Sequence, residues 1–311
     1  MNESHNDRKG ETLAFSPTRP PPSPPSPIPT SHASDLGASS GSGTPSNLEF
    51  NETLVVIGRG RLAQALWQWP RSGQTEIRRW HRQESLEELD RVLEGASHVL
   101  LAIRDDALEN FLLAQSIRLR SKTLVHFAGS RGDLLCAGLC CYVAHPLMSL
   151  SVPPPPLDLL QDVRFSISGA QPLSKLLPGF DNTSFVIADE DRALYHALLS
   201  LGGNLGVWLW EQMEREFATQ FGSAGPESNS GRDPRSILQP YLDSLFWALR
   251  TRRPETSALT GPIARGDLGT INRQTEALAV RPDLQQIFKV ICGRAVVDRS
   301  TSTPPITEER P

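Results

Sequence analysis

Apolar residues are sparse before position 50 and then fall into a repeating order. Thr53-Leu54-Val55-Val56-Ile57 is a continuous apolar run of strand length, and Leu62, Leu66 and Trp69 follow it at helical spacing until Pro70. A second strand is expected at 76–80. An amphipathic helix is expected over 85–94, carried by Leu86, Leu89, Val92 and Leu93, with Gly95 suited to its C-terminal cap. The run 98–103 reads as a fully buried strand, 106–117 as a helix and 123–127 as the next strand. Further strands are expected at 141–145, 163–168 and 184–188. Unbroken apolar runs of this kind suit strands covered on both faces. Their alternation with helices predicts an α/β fold built on a doubly wound parallel sheet. Beyond Asp189 the periodicity is helical throughout, interrupted by the Gly/Ser/Asn/Pro-rich stretch 222–234.

The pattern divides the chain into a tail at 1–50, an α/β domain at 51–188, a helical domain at 189–300 and a short tail at 301–311. The first fifty residues are rich in Pro, Ser, Thr and Gly, with Pro20-Pro21-Pro22-Ser23-Pro24-Pro25 at their centre. Such a segment cannot bury enough apolar surface to offset its ordering entropy and is expected to be disordered. Hydrophobic residues make up 38% of the 311 residues, and the shortfall lies in that tail.

A formal net charge of −4 argues against a general nucleic-acid binder or a polybasic membrane-surface protein. No run approaches the ~18 consecutive apolar residues of a membrane span. No secretory apolar core stands near the start. The spacing of Cys136, Cys140, Cys141 and Cys292 fits neither zinc knuckles nor a redox pair. A cytoplasmic protein with reduced thiols and no bound metal is expected.

The first candidate chemistry is Gly58-Arg59-Gly60-Arg61-Leu62-Ala63, a G-x-G-x-x-A that follows a strand and opens a helix. This is the context of a Rossmann dinucleotide site. Gly58 permits the tight turn, Gly60 admits a pyrophosphate close to the backbone, and Ala63 keeps helix and strand together. Ala102 and Ile103, closing the third strand, lie at the same edge of the sheet. An NAD site usually ends its second strand with an acid for the ribose. This chain has Arg78, Arg79, His81 and Arg82 there, with Arg59 and Arg61 in the loop. Guanidinium groups bind a 2′-phosphate bidentately. NADP(H) is therefore expected in preference to NAD(H), with Arg82 and Arg59 as the selecting residues.

Hydride transfer to a carbonyl or imine needs a proton donor and a group that orients the substrate. His196, Ser200 and Asn204 stand four apart in an otherwise apolar helix. They make His196 the candidate acid and Asn204 the candidate orienting group. Loops after strands offer Ser130 and His145 as substrate contacts. The segment 259–267 adds Thr260, a candidate helix cap ahead of Pro262, and Arg265 and Asp267, which would pair with each other or meet a ligand. Asp105 and Asp106 read as helix-capping residues.

Together these residues resemble the Rossmann-like oxidoreductases that carry a C-terminal domain of unknown function 2520. The resemblance rests on GRGRLA at 58–63, HPL at 145–147, the Tyr195-His196 to Asn204 spacing and TGPIARGD at 260–267, and covers about 51–298. It implies a helical domain like the C-terminal one of 6-phosphogluconate dehydrogenase, and an architecture shared with ketopantoate reductase and pyrroline-carboxylate reductase. It further implies NADP-linked reduction of a small-molecule substrate at the domain interface, and dimerisation through the helical half. Ketopantoate reductases place a Lys and two Asn at successive four-residue steps where this chain has His196, Ser200 and Asn204. A 2-keto acid substrate of that type is thus conceivable but not implied. Arg104 stands where a proline is expected, and Met148 makes the wall after HPL more apolar. Fold alone does not settle function, so a non-catalytic dinucleotide sensor or scaffold is the alternative.

Overall fold

The computed structural model describes residues 52–73, 75–151, 153–221, 234–253 and 256–302. The expected tail at 1–50, nearly all of the 222–234 loop and most of the 301–311 tail lie outside the described residues. The strands are β1 (Thr53–Ile57), β2 (Glu76–Trp80), β3 (His98–Leu101), β4 (Thr123–His126), β5 (Leu134–Cys136), β6 (Leu139–Pro146), β7 (Phe165–Ile167) and β8 (Ser184–Val186). They form one sheet in the order β2-β1-β3-β4-β6-β7-β8, with β5 hydrogen-bonded to β6. The five strands from β2 to β6 along this path are parallel.

The far edge departs from the all-parallel expectation. β7 runs antiparallel to β6, and β8 is parallel to β7. β5 and β6 form a hairpin across Ala137 and Gly138, both at positive φ. Two consecutive left-handed residues make the tight turn whose twist matches paired strands. Ala-Gly is a weaker sequence signal for that turn than Asn-Gly, and β5 went unexpected.

Alternation along β1 builds two cores. Leu54 and Val56 pack on one side with Leu66, Trp69, Phe165 and Leu176. Val55 and Ile57 pack on the other with Leu89, Val92, Leu112 and Leu119. The helices that supply these side chains are α1 (Arg61–Gln68), α2 (Leu86–Leu93), α3 (Leu108–Ala114), α4 (Ser116–Leu119), α5 (Leu157–Asp162) and α6 (Leu173–Leu176). Ser85 caps α2 by accepting from the Glu88 amide at 3.2 Å, and Gly95 takes the left-handed conformation just past its end. Asp105 and Asp106, expected as caps, instead form a short 3-10 turn without a side-chain cap. Asp106 pairs with Arg104.

The second half of the chain is helical. α7 (Arg192–Leu199) passes through a π-helical turn at Ser200–Asn204 into α8 (Leu205–Phe221). Then come α9 (Pro234–Thr251), α10 (Gly261–Arg265), α11 (Leu268–Ala277) and α12 (Pro282–Ser302). Helix α12 thus extends two residues into the expected C-terminal tail. Apolar burial is scant here: among the described residues after α7, only Leu238, Ile271 and Cys292 are buried hydrophobics. Leu201, Leu205, Tyr241, Phe246 and Trp247 are all exposed. None of the described helices is long and apolar enough to cross a membrane.

Candidate functional site

Three strand ends meet where β1 gives way to α1. Gly58 sits at φ +134°, donates its amide to the Trp80 carbonyl at 2.8 Å, and lies so close to β3 that a Cβ would fall 2.2 Å from the Ala102 oxygen. Only glycine fits. Around Gly60 nothing lies within 4 Å of a Cβ, so the backbone there is open to a ligand. Helix α1 begins at this point without a side-chain cap, and its first amides remain available to an anion.

A cavity of about 880 Å³ opens in front of the loop. Gly58, Arg59, Gly60, Arg61 and Leu62 form its floor, and Arg82, Ala102 and Ile103 its sides. Its remaining walls come from Trp80, His81 and Gln83 after β2, from Ala107, Phe111 and Gln115 on the following helix, and from Met148–Leu150. Asn204 closes the far end. These residues fit a dinucleotide by two tests: a phosphate-sized approach at Gly60, and a largely apolar trough long enough to span from α3 to the π-turn. Ala63 does not line this cavity; it is buried against the sheet, where it serves close helix packing.

The basic residues after β1 and β2 divide between the two sides. Arg82, Arg59 and Arg61 line the cavity, and the Arg59 guanidinium is braced by the Gln83 side chain. Arg78 is turned away, bonded to Glu76 and to the Glu94 carbonyl. Arg79 lies over the Trp67 ring at 4.9 Å. Glu84, the acid nearest the end of β2, accepts from the His81 backbone amide at 2.7 Å and does not line the cavity.

A polar cluster is assembled between β6, α7 and the loop after β4. His126, fully buried, shapes that loop: its Nδ1 accepts from the Ala128 amide at 3.2 Å, so its Nε2 is the donor to the Gly132 carbonyl at 3.0 Å. Burial is the main reason its pKa falls to about 4. The loop then carries Gly129 between two imidazoles. A Cβ there would stand 2.5 Å from His196 Cδ2 and 2.8 Å from His145 Nε2. The two rings meet edge to face with centres 5.5 Å apart. Tyr195 Oη is 3.0 Å from His145 Nδ1. Burial, with His196 and Arg192 assisting, pushes the His145 pKa down to about 4.

The expected site residues therefore separate into three groups. The cofactor residues, Ala63 apart, converge on one cavity with Asn204. His196 and His145 meet each other, with Ser130 exposed beside them. Asn204 does not continue a stripe from His196, because the π-turn at Ser200–Asn204 widens the helix between them. Thr260, Arg265 and Asp267 do not line the cavity. Thr260 occupies the cap position of α10 without bonding to it. Asp267 caps α11 by accepting from the Thr270 amide at 3.0 Å and its hydroxyl at 2.7 Å, rather than pairing with Arg265. Tyr195, Gly129 and Arg192 were not foreseen as site residues. Tyr195 could have been, since it stands beside His196 in the motif that carried the resemblance.

The chain forms a Rossmann-type sheet followed by helices. Residues 166–295 match the model of a domain of unknown function, DUF2520. No curated protein sequence matches. Among solved structures, a candidate NADP oxidoreductase, BF3122 from Bacteroides fragilis, is similar with a TM-score of 0.61 at 20% identity, over 79% of this chain and 98% of that one. Protein TM1727 from Thermotoga maritima gives 0.53 at 17% identity, over 79% and 99%. At these identities the likeness is one of fold.

Proposed function

We propose that this protein is an NADP(H)-dependent oxidoreductase that reduces a small carbonyl or imine compound beside the histidine cluster, with His196 as general acid and Asn204 orienting substrate. The observation that carries the reading is the single cavity joining the phosphate loop to Asn204. A nicotinamide cofactor bound there supplies the hydride. The chain's own residues do the rest. Gly58 and Gly60 bring the backbone to the phosphates. Arg59 and Arg82 select the 2′-phosphate, and the absence of an acid in the cavity at the end of β2 supports that preference. His196, packed edge to face against His145 and outside the cavity lining, holds the proton that the reduced substrate atom takes up. Ser130 and His145 contact the substrate from the strand side.

The same reading divides the chain at about residue 188 and pairs two copies through the helical part, in the cytoplasm. The exposure of Leu201, Leu205, Phe246 and Trp247 supports that pairing, since large apolar side chains left in water mark interaction surfaces when they gather. Thr260, Arg265 and Asp267 are kept as substrate-side residues of that paired form.

NADPH oxidation against a panel of 2-keto acids and cyclic imines tests this. Turnover with at least one class is expected, and His196→Ala should lower kcat about 100-fold or more while leaving NADPH affinity unchanged. Tight NADPH binding with no turnover for any substrate would replace the reductase by a sensor.

A further inference from the structure

His145 and His196, both half-buried, stand with ring centres 5.5 Å apart. Two imidazolium ions that close repel strongly, so the pair holds one proton readily and a second only with difficulty. A buried cation stands nearby. Arg192 opens α7, one turn ahead of Tyr195 and His196, and is wholly inaccessible to solvent. Its Nη1 is 3.4 Å from Ser166 Oγ, and Ser166 is the residue that β7 sets directly opposite His145. The guanidinium thus ties the helix carrying His196 to the strand pair carrying His145.

Asp189 and Asp133 both act on its charge without hydrogen-bonding to it. Asp189 Oδ1 lies 3.7 Å from Nε, within ion-pair range but too far for a hydrogen bond. Neither Nε nor Nη2 has a hydrogen-bond partner among the described residues. A guanidinium keeps its proton even when desolvated. Tyr195 and His196 from α7, uncharged Ser166 from β7 and Gly129 from the loop after β4 face His145, and the Arg192 charge, bonded to Ser166, acts on it from behind that strand pair. Among the described residues no carboxylate pairs with His145.

We propose that Arg192 is the positioning residue of this histidine pair: its buried charge adds to burial in keeping His145 uncharged and leaves proton exchange to His196. The two histidines are then not equivalent. His145, uncharged, accepts the Tyr195 hydroxyl at Nδ1 and is held in one orientation by it. His196, which has no hydrogen bond to fix it among the described residues, is the ring that exchanges its proton with a bound molecule. The assignment of that molecule as substrate rests on the reductase reading, whereas the protonation order does not.

Histidine-selective NMR titration of the full chain reads the order directly, with His145→Gln and His196→Gln to assign the two rings. In the unmodified protein His145 should stay neutral throughout the neutral pH range. Arg192→Met should move the His145 midpoint up by about one pH unit. Arg192→Lys, which returns a cation to the same place, should move it by less than half as much. A His145 that gains its proton in the neutral range of the unmodified protein overturns the proposal, and so does a midpoint unmoved by Arg192→Met. If the Met variant does not fold, the unmodified protein and Arg192→Lys still decide. No substrate is needed, so an inactive enzyme would refute the reductase reading and leave this result standing.

Discussion

The two halves of this chain treat apolar surface in opposite ways. In the sheet half, Leu54, Val55, Val56 and Ile57 are each at most 1% exposed, and every second residue goes to a different core. In the helical half, Trp247 is 68% exposed and Leu201 63%. Burying side chains of this size is worth about 1.5–3 kcal/mol each. The sheet half has that stabilisation within one chain, and the helical half leaves most of it to be gained by covering. The cavity is lined almost wholly by the sheet half, with Asn204 its one residue from beyond position 189, and Thr260, Arg265 and Asp267 stand apart from it.

The largest effect expected is on the self-sufficient side. Gly58→Ala should destabilise the protein by about 3 kcal/mol or more, since it combines a strained φ with a backbone clash. NADPH affinity should fall at least 100-fold, as read by urea unfolding and calorimetry. Gly129→Ala clashes only with two side-chain rings and should preserve NADPH binding while removing turnover. An equal loss of binding in both would mean that the loop and the histidine cluster are one unit.

Acid should act next, again on the sheet half. His126 and His145 have folded pKa values of about 4 against an ordinary value near 6.5. Their neutral forms favour the fold, so the stability is fully present above about pH 6.5 and is lost as pH falls toward 4. The two together should cost on the order of 5 kcal/mol by pH 4, measured as the pH dependence of urea unfolding. The loss should shrink by about half in His126→Gln.

A smaller effect on folding is expected from the helical half. Phe246→Asp with Trp247→Asp should convert a dimer to a monomer in sedimentation analysis, with NADPH affinity within about threefold of the unmodified protein. Loss of NADPH binding on dissociation would show that the two halves are not separable in this way. The smallest effect is on cofactor choice. Arg82→Asp should weaken NADPH by about tenfold, or 1–2 kcal/mol, and leave NADH unchanged.

The same contrast explains what could be read from residues alone. The sheet half announces itself because a buried parallel strand needs an unbroken apolar run, as at 53–57, and a phosphate turn needs glycine at 58 and 60. Those constraints act on neighbours in sequence. The reversal of β7 and the Ala137-Gly138 hairpin follow from pairing partners far along the chain, and no local pattern marks them. Helix spacing placed His196 and Asn204 on one face, but the π-turn over Ser200–Asn204 breaks that register. Nothing in the local pattern marks Arg192, whose burial against Ser166 depends on the antiparallel pairing of β6 and β7.

The central claim is that the cavity in front of Gly58 and Gly60 takes NADP(H), and an NADPH titration of the full chain by calorimetry tests it most directly. Saturable binding is predicted at one site per chain, with a Kd of about 10 µM or tighter, at least tenfold tighter than NADH, and lost in Gly60→Glu. No saturable binding up to about 1 mM, or binding indifferent to the Gly60 substitution, would contradict the account.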